Sequence, residues 1–159
     1  MALVMNKRKL NAIRFISKID DAVDVEASDR DLYLEDPVAN ADALKFKKGK
    51  EPTIFLLNFE LSGKENAAIE DKQSGGLDDE RNPKISMGAW SYAVARMTLK
   101  DIQYPAGETP IVEFKKEGRG YASERVLDTL SKLGIIGEIF NLFITLRASD
   151  AEVKANAKN

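Results

Sequence analysis

The sequence predicts an α+β fold: an N-terminal antiparallel sheet of short strands packed by C-terminal helices. Three observations carry this expectation. Residues 53–61 (Thr-Ile-Phe-Leu-Leu-Asn-Phe-Glu-Leu) are an apolar run rich in branched and aromatic side chains, the pattern of a buried central strand. Residues 123–147 carry apolar side chains at helical spacing behind a serine cap. Strand-like and helix-like segments are also largely segregated along the chain. At 159 residues the chain has the length of one ordinary domain. Residues 1–147 are expected to form it, with a flexible loop near 72–84. Residues 148–159 are a polar tail expected to fray.

Residues 12–19 read as a strand or a short helix. Val23/Val25 and Leu32/Leu34 have the spacing of strands, so a two-strand ribbon turning around 27–30 is expected. Leu44 and Phe46 alternate with lysines, and Gly49-Lys50-Glu51-Pro52 is a turn. This segment is expected to pair with 53–61 as a hairpin. Ser62 is placed to cap a helix over 64–72. Gly75-Gly76 and the charged run to Pro83 read as the loop. Ser86 is placed to cap a helix with Trp90, Val94 and Met97 on one face, and 95–103 either continues it or turns into a strand. Pro105-Ala106-Gly107 is a turn, and Ile111, Val112 and Phe114 suggest a short strand. Ser123 caps the next helix, with Glu124 and Asp128 in its early turns and Val126, Leu127, Leu130 and Leu133 on its apolar face. Gly134 breaks it, and a last helix runs over 135–147.

Composition removes several function classes. The chain has no cysteine, which excludes disulfides, thiolate metal sites and a cysteine nucleophile. It has no histidine, which excludes Ser-His-Asp chemistry, HExxH sites and zinc fingers. The 24 basic and 26 acidic residues leave a charge of −2, without the basic excess of a nucleic-acid binder. The N-terminal Met-Ala-Leu-Val-Met-Asn-Lys-Arg-Lys-Leu does not read as a signal peptide, because its charges follow its apolar residues. The longest apolar-rich stretch, 133–146, contains Glu138 and is shorter than a membrane span. The expected location is the cytoplasm of whatever cell makes the chain.

The remaining motifs are weak. The acidic stretch Asp20, Asp21, Asp24, Glu26, Asp29, Asp31 fails as an EF-hand loop, because Ala22 and Val25 stand where an oxygen ligand and a glycine are needed. It reads better as a solvated acidic face. Glu117-Gly118-Arg119-Gly120 precedes a helix start, where phosphate can bind, but lacks the Lys-Ser/Thr pair of a P-loop. A flexible turn explains it without a ligand. Basic clusters stand at Lys7-Arg8-Lys9, at Lys45/Lys47/Lys48/Lys50 and at Lys115-Lys116 with Arg119. The lysines around Phe46 read as the solvent face of an edge strand. Trp90 and Tyr92 are a contact surface or, as the weight of the pattern favours, core. No catalytic, cofactor-binding or metal-ligating residue is nominated.

The last helix points most directly to a partner. Ile135, Ile136, Ile139, Phe140, Leu142, Phe143, Ile144 and Leu146 cover most of its circumference. Either it is buried between the sheet and a neighbouring helix, or one side meets another chain or a copy of this one. The candidate partner-binding residues are Ile135, Ile136, Ile139, Phe140, Phe143 and Leu146.

The order of elements carries a resemblance. A short strand is followed by the Gly49-Lys50-Glu51-Pro52-Thr53 turn and an apolar strand ending in Leu61-Ser62. A polar loop, the helix Trp90-Ser91-Tyr92-Ala93-Val94-Ala95-Arg96-Met97, a strand over 111–114 and two closing apolar helices come next. Over about residues 40–147 this resembles small phage tail-assembly chaperone-like proteins. It is a likeness of element order, and residues 1–35 and the loop 72–84 have no counterpart in it. The resemblance implies a non-enzymatic, phage-encoded assembly protein without cofactors that binds a tail or other virion protein, in the host cytoplasm. The alternatives are a structural virion component (a connector, tail or capsid-associated protein), and a small regulatory or anti-defence protein that binds a host protein or nucleic acid. A homo-oligomer is compatible with each.

Overall fold

The computed structural model describes residues 10–157, with side chains described for 10–147. The fold is α+β. Three strands form the main sheet: β1 (Ile13–Phe15), β2 (Ile54–Leu57) and β5 (Leu99–Gln103), in the order β1-β2-β5 and antiparallel throughout. Strand β2 is central, as its apolar run predicts. Its side chains alternate, with Phe55 and Leu57 fully inside and Ile54 and Leu56 half-buried. Only one face of this sheet therefore reaches the centre of the core, and Ile13, Phe15, Leu99 and Ile102 join it there. The third strand comes from the middle of the chain, so the sheet is not wholly N-terminal.

Helix α1 (Arg30–Glu35) stands where a strand ribbon is expected. The Asp29 carboxylate accepts the Leu32 amide and caps it. That local bond, together with burial of Tyr33 against Phe15 at 6.4 Å, outweighs the alternating pattern of Val23/Val25 and Leu32/Leu34. Phe46 does not begin a hairpin with β2. It forms an isolated antiparallel bridge with Val23 after a short 3-10 turn (Ala41–Ala43), and β1 takes the edge of β2 that the hairpin needed.

Helix α2 (Gly63–Gln73) opens with a capping box: Ser62 Oγ accepts the Glu65 amide and Glu65 accepts the Ser62 amide. Residues 74–85, expected as a loop, instead form a hairpin of β3 (Ser74–Leu77) and β4 (Pro83–Ile85). Helix α3 (Met87–Thr98) follows and passes directly into β5, so both readings of 95–103 hold. No strand forms at 111–114. Val112 is buried there as irregular chain, its carbonyl accepting the Tyr104 hydroxyl at 2.7 Å. A short ribbon, β6 (Lys116–Glu117) with β7 (Tyr121–Ala122), leads into α4 (Glu124–Lys132), which Ser123 caps. Gly134 has φ 77°, a left-handed turn that a side chain resists, and there the chain bends by 94° into α5 (Ile135–Ala157). This last helix runs on past Arg147, so the backbone expected to fray from 148 is helical to Ala157. One cluster of buried side chains joins Leu10 to Leu146.

Candidate functional site

All six residues nominated as partner contacts on α5 are core. Ile135, Ile136, Ile139, Phe140, Phe143 and Leu146 are each less than a tenth exposed. Phe143 meets Phe59 edge-on at 5.3 Å, and Phe140 meets Trp90 at 4.8 Å. These contacts place half-buried Trp90 against the core as well. A solvent stripe does exist on the helix, made by Gly137, Asn141, Ile144 and Thr145. Glycine, threonine and one exposed isoleucine hide it from a search for long polar side chains. Those six side chains are spent on neighbours inside the chain and form no partner surface.

The most developed polar cluster joins α5 to β1 and α1. Glu138 accepts the Ser17 hydroxyl, the Lys18 amide at 2.8 Å and the Arg30 guanidinium at 3.3 Å. Arg30 also donates to the Ile16 carbonyl at 2.7 Å and lies over the rings of Phe15 and Tyr33. The Tyr33 hydroxyl accepts the Ile16 amide at 2.9 Å and donates to the Arg14 carbonyl at 3.1 Å. Burial is the main cause that pushes the Tyr33 hydroxyl up to about 12, and it also lowers Arg30 from its ordinary value, against the pull of Glu138. Ser17, Arg30 and Tyr33 each donate to a neighbour inside the chain. Ser17 donates to a carboxylate that is already paired with Arg30. The cluster is an anchor between elements. The adjoining recess, lined by Lys18, Leu34, Asn141 and Thr145 among others, has a volume of about 210 Å³.

The weaker motifs resolve into backbone chemistry. Asp20 accepts the amides of Ala22 and Thr53, Asp24 that of Ala27, and Asp29 caps α1. Asp24 and Asp29 close local turns and Asp20 also ties the start of β2, and among the described residues no group of three acidic, histidine or cysteine side chains is placed to hold a metal ion. At the start of α4, Ser123 accepts the Val126 amide and Glu117 accepts the Glu124 amide at 2.8 Å. The chain's own carboxylate thus occupies the anion position that a phosphate would need. The lysines at 45, 47, 48 and 50 are exposed around Phe46, and Lys115, Lys116 and Arg119 are exposed near β6. The cluster at residues 7–9 lies outside the described residues.

The feature that sequence reasoning missed is the β3–β4 ribbon. Asp78 closes its tip, where its carboxylate accepts the amides of Glu80 and Asn82 and its own amide donates to the Asn82 carbonyl. Gly75 lies close to the opposite strand, where an added Cβ would sit 3.3 Å from the Ser86 amide nitrogen. Every residue of both strands is exposed. Leu77 stands opposite Pro83, and Ile85 follows Pro83 by two, so strand alternation puts all three on one face. Leu77 and Ile85 are each 61% exposed, and Met87, at the start of α3, is 53% exposed. A lone leucine between two glycines and three acids was the available signal, and its polar neighbours masked it.

Comparison of the chain with protein-family models, with curated proteins and with solved structures finds no match.

Proposed function

We propose that the protein is a non-enzymatic interaction protein that docks on a partner protein through the β3–β4 ribbon. One observation carries this reading: a two-stranded ribbon that the rest of the described chain leaves uncovered, with Leu77, Pro83 and Ile85 on one face. An isolated pair of strands is marginal in water, and an uncovered apolar face gains free energy when a partner removes it from solvent. Asp78, Asp79 and Glu80 at the tip outnumber Arg81 and Lys84 on the ribbon, so the matching surface is apolar with lysine or arginine beside it. The setting is the one the resemblance implies, assembly of a phage tail or other virion part. The apolar contact is assigned to the ribbon and not to α5.

The test uses the full chain, expressed in the cells that naturally produce it, with a photo-crosslinker at position 77 or 85 and a control at exposed Lys132. The expected result is one protein crosslinked from 77 and 85 but not from 132, with apolar surface flanked by basic residues. The paired substitutions Leu77→Asp and Ile85→Asp are expected to weaken its co-purification at least tenfold while leaving the melting temperature within about 2 °C, since both sites are exposed. Undiminished co-purification with the paired variant, or crosslinks from the control position alone, refutes the reading.

A further inference from the structure

A recess on another part of the molecule has a different chemistry. It lies where the chain leaving β1 and the start of β2 meet the segment 104–111 and the corner between α4 and α5. Phe55, Leu130, Leu133 and Ile135 line it, and its volume is about 200 Å³. Clefts for drug-sized ligands hold about 300–1,000 Å³. The recess therefore suits one anchoring side chain better than a cofactor. Two lining isoleucines are more than half exposed, Ile19 at 51% and Ile111 at 68%. Each would lose solvent contact if a chain lay across the opening.

The charged groups at the rim have one sign. Asp20, Asp21 and Glu108 line the recess, and no lysine or arginine does. Both oxygens of Asp20 are fixed, one by the Ala22 amide and the other by the Thr53 amide at 2.8 Å, so its charge is held in place. Asp21 reaches Lys50 at 3.2 Å, but its side chain is 82% exposed and the pair is well screened. Among the described residues Glu108 has no ion-pair partner within 4.0 Å. Past Glu108 a second, polar depression opens, lined also by Gly49, Lys50, Glu51, Pro105 and Ala106. Across the two, four carboxylates (Asp20, Asp21, Glu51, Glu108) stand against one ammonium (Lys50).

We infer that this recess binds a partner segment in which an apolar side chain is followed closely by lysine or arginine. The apolar side chain enters beside Leu130 and Leu133, and the cation lies over Glu108 toward the polar depression. An acidic segment is repelled by the same carboxylates. A purely apolar one leaves the Glu108 charge partly desolvated without a counter-charge. The site is separate from the ribbon, none of whose residues line it.

The experiment titrates the isotope-labelled full chain with three blocked peptides at low salt, followed by amide chemical shifts. The peptides are Leu-Leu-Lys-Arg-Lys, Leu-Leu-Glu-Asp-Glu and Ser-Ser-Lys-Arg-Lys. The first is expected to bind saturably, with shifts at Ile19, Thr53, Glu108 and Ile111, and at least tenfold more tightly than either control. Reversal of two exposed charges, Asp21→Lys with Glu108→Lys, is expected to weaken it at least tenfold. The substitution Ile111→Ser is expected to weaken it severalfold. The inference is overturned by absence of saturable binding up to millimolar peptide, by equal binding of the serine or acidic control, or by shifts that map elsewhere. Ribbon variants at Leu77 and Ile85 are expected to bind the peptide normally, so the two proposals fail separately.

Discussion

Replacing Glu138 by alanine removes the acceptor that holds three donors from two other segments. Ser17 is 2% exposed, and its hydroxyl loses the acceptor for its proton while still accepting the Ile19 amide at 3.2 Å. A buried polar group left unsatisfied costs about 1–3 kcal/mol. The Arg30 side chain is 25% exposed and Glu138 is 11% exposed, so their ion pair is only partly screened. Breaking a fully buried pair by removing one member costs about 3–5 kcal/mol, and the exposure of Arg30 puts its share well below that, at about 1 kcal/mol. The Lys18 amide is exposed and finds water. The loss sums to about 3 kcal/mol, and for a chain of this size each kcal/mol moves the melting temperature by about 2–4 °C. Thermal unfolding followed by circular dichroism is therefore expected to fall by about 6–12 °C. The substitution Glu138→Gln keeps the acceptor oxygen and is expected to cost about half as much. Combining Glu138→Ala with Arg30→Ala is expected to show a coupling of at least about 0.5 kcal/mol. A fall of less than about 2 °C, or additive effects of the two alanines, refutes the assignment of this cluster as the anchor between α5, β1 and α1.

Three further outcomes follow from the packing. Tyr33 is protonated in the fold to about pH 12, whereas an exposed tyrosine ionises near 10. The unfolded chain then loses this proton first, so stability is intact below about pH 10 and falls as pH rises toward 12, by about 2–3 kcal/mol in total. Urea unfolding at pH 8 and pH 11.5 checks this, and the Tyr33→Phe variant is expected to show a smaller fall between the two. Two isoleucines on α5 separate its faces: Ile139→Ala at 0% exposure is expected to cost about 2–5 kcal/mol, and Ile144→Ala at 38% exposure less than about 1 kcal/mol. Equal losses in denaturant titration overturn the orientation of the helix. Ser62→Ala removes half of the capping box of α2 and is expected to cost about 1 kcal/mol, read as a fall of about 2–4 °C in the melting temperature.

Local chemistry was legible at most helix ends, although Ser86, expected to cap α3, makes no side-chain cap bond. Ser62 and Ser123 cap α2 and α4 as their positions predict, and Gly134 turns the chain between α4 and α5. The apolar run of 53–61 announces a central strand because it is short and bounded by the turn at 49–52 and Ser62, whereas the equally apolar 135–146 is longer and follows directly on another helix. Pairing was not legible. Whether β2 takes residues 44–48 or 13–15 as its neighbour depends on which apolar face the sheet can bury, and that is settled only when Phe15, Tyr33 and the helices meet. The same holds for 29–35, where the Asp29 cap and the burial of Tyr33 outweigh an alternating pattern, and for 74–85, where the Asp78 carboxylate folds a polar run into a ribbon.

The candidate site divides along the same line. By itself the sequence determined the α+β class, the helix boundaries set by serine and glycine, and the absence of histidine and cysteine chemistry, because composition and local hydrogen bonding do not depend on distant residues. It also showed that the last helix has too much apolar surface to be an ordinary exposed one. Only the tertiary structure decided that this surface is spent inside the chain, against Phe59, Trp90 and the sheet. The same packing left Leu77 and Ile85 uncovered on the ribbon and brought Glu108 beside Asp20 and Asp21, residues far apart in sequence. Burial belongs to the whole packed chain, so which apolar residues remain free is decided last, after every element has taken its neighbours.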